Sequence, residues 1–416
     1  MSANDERMYV VPSLLKSAYN ACIKIHREMY DELPLPDVDL QICCESVFTI
    51  VRLNTQICGF DSSGDRRSMF SKLQRFHLFQ DIICEKAAYY GHIDCLKFAH
   101  EMGVPWNNSS PLVKSACEEA AGRGNLECLI YAHENGSRWG VACGTAASGG
   151  HLDCLKYAHE NGCPWNQNAC TLAARNGHLD CLIYAHENGC PWDEYTCMMA
   201  AQYGHLDCLK YLHENGCPWN RFTCNMAAFN GHLDCLKYMH ENGCPWHEET
   251  CMMAAENGHM NCLIYAHENG CPWNEWTCTY AADNGHLSCL TYAHENGCPW
   301  DEYTCTQAAE SGHLHCLSYA RRNGCPWDED TCTRAAENGH LDCLSYAHEN
   351  GCPWDEYTCT RAAENGHLDC LSYAHTNGCP WEWRTFYGAV FSGDPRCFQY
   401  VYEHECPMIP ICRRQI

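Results

Sequence analysis

The feature that most constrains this chain is a beat of 27 residues. Thr331–Tyr357 reads TCTRAAENGHLDCLSYAHENGCPWDEY, and Thr358–Arg384 writes it again as TCTRAAENGHLDCLSYAHTNGCPWEWR. One cysteine marks the register: Cys154, Cys181, Cys208, Cys235, Cys262, Cys289, Cys316, Cys343, Cys370 and Cys397 follow one another at intervals of 27. A period of this length is one supersecondary unit that buries its apolar face only against its neighbours. A length of 416 residues would otherwise suggest about two or three independent domains. The repeat replaces that expectation with an array whose function lies on its surface.

Within one unit the residues read as helix–turn–helix. Asp328 or Thr331 is placed to cap the first helix, helix A, and Glu329 lies in the first turn, where the helix dipole favours a carboxylate. Ala335 and Ala336 allow close helix contact. Asn338-Gly339 ends helix A, since glycine supplies the left-handed conformation of a helix terminus. His340 and Asp342 open helix B, Asn350-Gly351 ends it, and Pro353 prevents its continuation. Helices of about 8–10 residues are not stable alone, so stacking must supply the stability. The expected fold is all-α, a solenoid of about twelve helix-turn-helix repeats over residues 77–406. Residues 1–76 are expected to form a small helical N-terminal cap and 407–416 a C-terminal tail. The last unit departs from the pattern, with Phe386, Asp394 and Met408 in place of Cys, His and Trp, as a terminal repeat should.

Composition bears on partners. The net charge of -25 speaks against nucleic acid and anionic membrane, both of which need a basic surface. The N-terminus, MSANDERMYVVPSLLK, lacks the charged and apolar blocks of a secretory signal, and no run of 18 apolar residues marks a membrane span. The 38 cysteines follow the repeat rather than a disulfide framework. Reduced thiols of an intracellular protein behave as small buried hydrophobes, so the expected setting is cytoplasmic or nuclear and the expected state monomeric.

Ala335–Gly351, AAENGHLDCLSYAHENG, resembles the core of an ankyrin repeat, and TCTRAA stands where ankyrins carry TPLHLAA. The resemblance recurs in every unit over about 81–406. The unit is shorter than the usual ankyrin by the segment that holds the β-hairpin, and cysteine replaces the customary aliphatics. This short Cys-Pro-Trp form is similar to arrays of large DNA viruses and of some protists or algae, which would add a host cell to the intracellular settings. The resemblance implies a hairpin-less α-solenoid whose activity is protein binding. In the N-terminal region, LPLPDVDL (Leu33–Leu40) resembles the start of an F-box, which would imply a substrate adaptor for a ubiquitin ligase.

Two chemical readings of the repeat compete. Cys170, His186, Cys190 and Cys197 stand where the start of helix A meets the end of helix B, and a Cys3His set suits tetrahedral zinc. Against a zinc-binding or metal-buffering array, the ligands are not lost together: Arg321 replaces His while Cys325 stays, and Val104 and Ser137 replace Cys while His100 and His133 stay. Core thiols with hydrogen-bonded histidines are the preferred reading, with no cofactor. His178 and its equivalents are expected to be spacers at the turn between helices A and B, and the Trp of Cys-Pro-Trp to close the seam between repeats. No phosphate-cradling loop, HExxH motif or nucleophile elbow is present, and no enzyme is expected.

Partner binding is sought where the copies differ, because packed positions must repeat and solvent-facing ones need not. One variable position runs Asn168, Tyr195, Phe222, Glu249, Trp276, Tyr303, Asp330, Tyr357, Arg384. The other runs Arg175, Gln202, Phe229, Glu256, Asp283, Glu310, Glu337, Glu364. Both are expected on the inner, helix-A face. Tyr195, Tyr203, Phe222, Phe229 and Trp276 form the aromatic centre and are the expected partner-binding residues. The acidic C-terminal units would favour a basic partner.

Overall fold

A computed structural model describes residues 83–101, 104, 106, 114–165 and 168–408. The expected N-terminal cap, the F-box-like string and most of the tail lie outside the described residues. Among the described residues there are 24 helices and no strand, in twelve pairs from Ile83–Tyr90 with Ile93–Glu101 to Trp383–Phe391 with Pro395–Glu403. The chain divides into two compact units. The first is Met1–Ala200 with Asp207–Pro218, and the second is Ala201–Leu206 with Trp219–Ile416. Within each, helix A packs on the helix A of the next repeat, as Ala116–Arg123 does on Ala142–Gly149 in the first and Glu275–Asp283 on Glu302–Glu310 in the second.

Helix Glu302–Glu310 shows why the sequence folds this way. Asp301 is its N-cap in extended conformation, and its carboxylate accepts a hydrogen bond from the Tyr303 amide at 3.1 Å. Asp328 caps Glu329–Glu337 in the same manner at 3.1 Å. That settles the two candidates for the cap: Thr331 is instead fully buried, its hydroxyl bonded to that of Thr306 in the preceding repeat at 3.1 Å. Thr304, Cys305, Thr306, Ala308 and Ala309 are buried, which leaves Tyr303, Gln307 and Glu310 on the opposite face at helical spacing. Alanine at two core positions lets neighbouring helices approach closely, so the stack is held by many short contacts rather than large side chains.

Between the helices, Gly285 has φ of 74°, the left-handed region. A Cβ there would also come within 2.6 Å of Nδ1 of His313 from the next repeat. His313, which opens the next helix B, thus lies over the glycine of the repeat before it, as expected for a spacer. His286 does the same over Gly258 and hydrogen-bonds the Glu256 backbone; burial, the larger effect, pushes its pKa below the ordinary value.

Helix B of the same repeat, Leu287–Glu295, buries Cys289, Leu290 and Ala293. Burial pushes the Cys289 thiol up to about 11, so at neutral pH it is protonated and packs as a small apolar group. The thiol that follows the helix, Cys298, donates to the carbonyl of Asn274, the cap of helix A, at 3.2 Å. The end of helix B is thereby tied to the start of its own helix A.

The seam between repeats is aromatic. His267 stacks on Trp273 with centroids 3.8 Å apart, and its Nδ1 is hydrogen-bonded to the Tyr292 hydroxyl of the next repeat at 3.1 Å. Trp273 meets Tyr292 edge-on at 6.3 Å. The same trio recurs as His159, Trp165 and Tyr184 in the first unit and as His348, Trp354 and Tyr373 in the second. The Trp of Cys-Pro-Trp therefore closes the seam, as its constancy implied.

Candidate functional site

What faces solvent on helix A is a stripe of three side chains at positions i, i+4 and i+7. In the second unit the stripes read Phe222, Met226, Phe229; Glu249, Met253, Glu256; Trp276, Tyr280, Asp283; Tyr303, Gln307, Glu310; Asp330, Arg334, Glu337; and Tyr357, Arg361, Glu364. The two variable positions of the sequence are the ends of each stripe. The N-cap fixes the first residue of the stripe directly, since the cap carboxylate or amide oxygen holds its backbone amide, as Asn274 holds Trp276 at 3.2 Å.

The five expected binding residues do not share one environment. Tyr195 belongs to the first unit and is 51% exposed. The other four belong to the second. Phe222 and Trp276 are exposed at 46% and 43%, whereas Phe229 is half-buried. Tyr203 is exposed but lies one residue past the end of helix Glu194–Gln202. At that position other repeats place an asparagine that bonds its own helix, as Asn284 does to the Tyr280 carbonyl at 3.1 Å.

Two residues outside the expected set complete the aromatic surface. Tyr303 is 53% exposed and stacks on Trp276 with centroids 6.3 Å apart and planes 25° from parallel. Tyr280 lies 5.9 Å from Trp276 on the same helix. Tyr280 lies outside the expected set because it sits in the middle of the stripe, a position that varies as visibly as the ends: Met226, Met253, Tyr280, Gln307, Arg334, Arg361.

Aromatic faces elsewhere in this column already carry a cation of the chain itself. The Arg221 guanidinium lies 5.0 Å from the Phe222 ring centre. The Arg384 guanidinium lies 5.9 Å from that of Tyr357 and donates to its hydroxyl at 3.4 Å. The acidic ends of the later stripes are also paired: Arg334 with Glu337 and Arg361 with Glu364, both at 2.8 Å. Between Lys237 and Arg321 the chain has no lysine or arginine and eleven carboxylates. Among the described residues, no cation is paired with Glu256, Asp283 or Glu310 there. Burial, and then the charge of Asp283, raises the pKa of Glu256 above the ordinary glutamate value.

Of the four candidate zinc ligands, Cys170 and Cys190 are brought together by a hydrogen bond between their thiols, and the four do not close around one point. Cys170 donates to the Cys190 carbonyl at 3.7 Å, Cys190 to the Pro191 carbonyl at 3.7 Å and Cys197 to the Cys217 carbonyl at 3.8 Å. His186 stacks on Trp192 at 3.6 Å and bonds the Tyr211 hydroxyl at 3.0 Å. Among the described residues no group of three or more His, Cys, Asp or Glu side chains is placed to hold a metal ion. Arg321 explains why His is replaced without its cysteines. Its guanidinium lies 4.2 Å from the Trp327 ring centre, so the position requires a flat group on the tryptophan, which arginine also supplies. No helix of the described residues is long and apolar enough to cross a membrane.

Family models agree with this architecture over part of the chain. Models of ankyrin repeats match residues 84–133 and 144–223, and the described residues form ankyrin-like helical repeats. Among solved structures, the human ASB11 ankyrin repeat domain is similar over 39% of this chain and 84% of that one, with 22% identity and a TM-score of 0.35. No curated protein sequence matches the chain. Ankyrin repeats in general are protein-binding modules rather than catalysts.

Proposed function

We propose that this chain is a protein-interaction scaffold and that its helix-A stripes hold the partner. The observation that carries this reading is the confinement of variation. Core, turn and seam positions recur with little change, while the stripe carries a different mixture of aromatic, acidic and basic side chains in successive repeats of the second unit. Scaffold positions are fixed by packing; a surface that varies against so uniform a background is free to be fitted to something else. Exposed tryptophan and tyrosine add to the argument, because they anchor protein interfaces at low entropic cost. Trp276 and Phe222 in the second unit and Tyr195 in the first are the anchors, with the half-buried Phe229 as flanking surface and Tyr203 at the end of its helix.

The test is site-specific photo-cross-linking in the native cell. A cross-linking residue at position 276 or 303 is expected to capture a protein partner, whereas one at the exposed helix-B position Ser288 is expected not to. Capture from position 288 alone would assign binding to the other face and overturn the reading.

A further inference from the structure

The second unit presents aromatic faces and carboxylates in one place without the cations that accompany them elsewhere in the same column. Phe222 has Arg221 over its ring, and Tyr357 has Arg384. Glu337 and Glu364 have Arg334 and Arg361. In the block between these, Trp276 and Tyr303 stack on one another with exposed surface, and the stripes end in Glu256, Asp283 and Glu310. Asp283 accepts a hydrogen bond from the Ser311 hydroxyl at 2.7 Å, which orients it but leaves its charge uncompensated. Every charged side chain from Tyr238 to Ala320 that carries its charge at neutral pH is acidic.

Resting on the reading that the helix-A face binds a protein, we propose that this block, Glu248–Glu310, takes an extended arginine-bearing segment of the partner. Guanidinium groups stack on the Trp276–Tyr303 pair and ion-pair with the row Glu256, Asp283, Glu310. Arginine fits this surface better than lysine because its planar group both stacks on rings and forms paired hydrogen bonds to carboxylates. The chain itself shows both contacts made by its own arginines, the ring contact on either side at Phe222 and Tyr357 and the ion pair on the later side at Glu337 and Glu364. Adjacent helices pack about 10 Å apart, and a segment in the extended polyproline II conformation advances about 3.1 Å per residue and returns to the same face every third residue. Arginines three residues apart therefore meet consecutive stripes, and the recognised pattern is Arg-x-x-Arg.

The experiment uses the full chain and three labelled peptides of equal length in a Gly/Ser background. They carry arginine, lysine or glutamate at every third position, and binding is read by fluorescence anisotropy at physiological salt. The arginine peptide is expected to bind, the lysine peptide at least about fivefold more weakly, and the glutamate peptide not at all. The double variants W276A/Y303A and E256Q/D283N are each expected to weaken the arginine peptide on the order of tenfold, with unchanged circular dichroism and melting behaviour within a few degrees. Attraction from the net charge of -25 alone would treat arginine and lysine alike. Equal affinity for the two, indifference to both double variants, or no binding of the arginine peptide overturns the proposal. If the peptides fail while cross-links from positions 276 and 303 persist, the partner chemistry is wrong and the interaction face stands. If both fail, the face assignment falls as well.

Discussion

The repeats spanning Glu248–Glu310 and Glu329–Glu364 are built alike and surfaced differently. Both cap helix A with Asp or Asn, apart from His247 in the first of them, and all bury the same Thr-Cys and Ala-Ala positions. Their helices B bury the same Cys, Leu and Ala. On the stripe they part. The earlier block has Trp276, Tyr280 and Tyr303 beside carboxylates with no arginine or lysine, and the later one has Arg334 and Arg361 neutralising Glu337 and Glu364. The difference teaches that the fold places no demand on the stripe. A single scaffold therefore supports a surface that satisfies its own charges and another that leaves them to be satisfied from outside.

If the scaffolds are equivalent, damage to the core must cost the same in each block. Leu290→Ala and Leu344→Ala remove fully buried side chains of helix B, and each is expected to lose about 2–5 kcal/mol in chemical denaturation. Losses differing by more than about 1 kcal/mol would show that the two blocks are not interchangeable. The turn glycines make a second, smaller comparison. Gly285→Ala and Gly339→Ala each force a residue at φ of 74° or 77° under the histidine ring of the next repeat. Each should cost about 1–3 kcal/mol, again nearly equally. Removing the cap, Asp301→Ala against Asp328→Ala, should cost about 1 kcal/mol in either block, read as paired shifts in thermal midpoint.

The architecture was legible because it is written ten times over. The period, the Asn-Gly stops and the buried Ala-Ala and Cys positions all recur in helix pairs where they were expected, and the Trp and His roles at the seam and turn followed from their constancy. The candidate site was legible in part. Comparing copies identified the ends of the stripe but passed over its middle, so Tyr280 was missed and Arg334 and Arg361 were not read as the partners of the acids beside them. Pairing between neighbouring side chains depends on rotamer and distance, which a column of letters does not hold. Cys170, His186, Cys190 and Cys197 illustrate the converse. Their spacing admitted a common centre, yet only Cys170 and Cys190 meet, each of the three thiols also reaches a backbone carbonyl, and the imidazole lies flat on Trp192.

The smallest expected effect separates the two blocks most directly, because it depends on charge and not on packing. The pKa of Glu256 in the folded chain is raised, first by burial and then by Asp283, so the native state holds that proton more tightly than the unfolded state does. Its contribution to stability is therefore fully present below the ordinary glutamate value near 4.3 and is lost as pH rises through the raised one. Glu256→Gln removes a neutral-pH penalty and should melt slightly higher than the parent at pH 7, an advantage that vanishes at pH 4. Glu337→Gln in the later block instead breaks contacts with Arg334 at 2.8 Å and Arg361 at 4.0 Å. It should lose less than about 1 kcal/mol, as exposed ion pairs do, and gain nothing at neutral pH. Thermal melts of both variants from pH 4 to 8 would show opposite signs at pH 7. Like signs would mean that the arginines do not distinguish the blocks, and that the earlier carboxylates are as well compensated as the later ones.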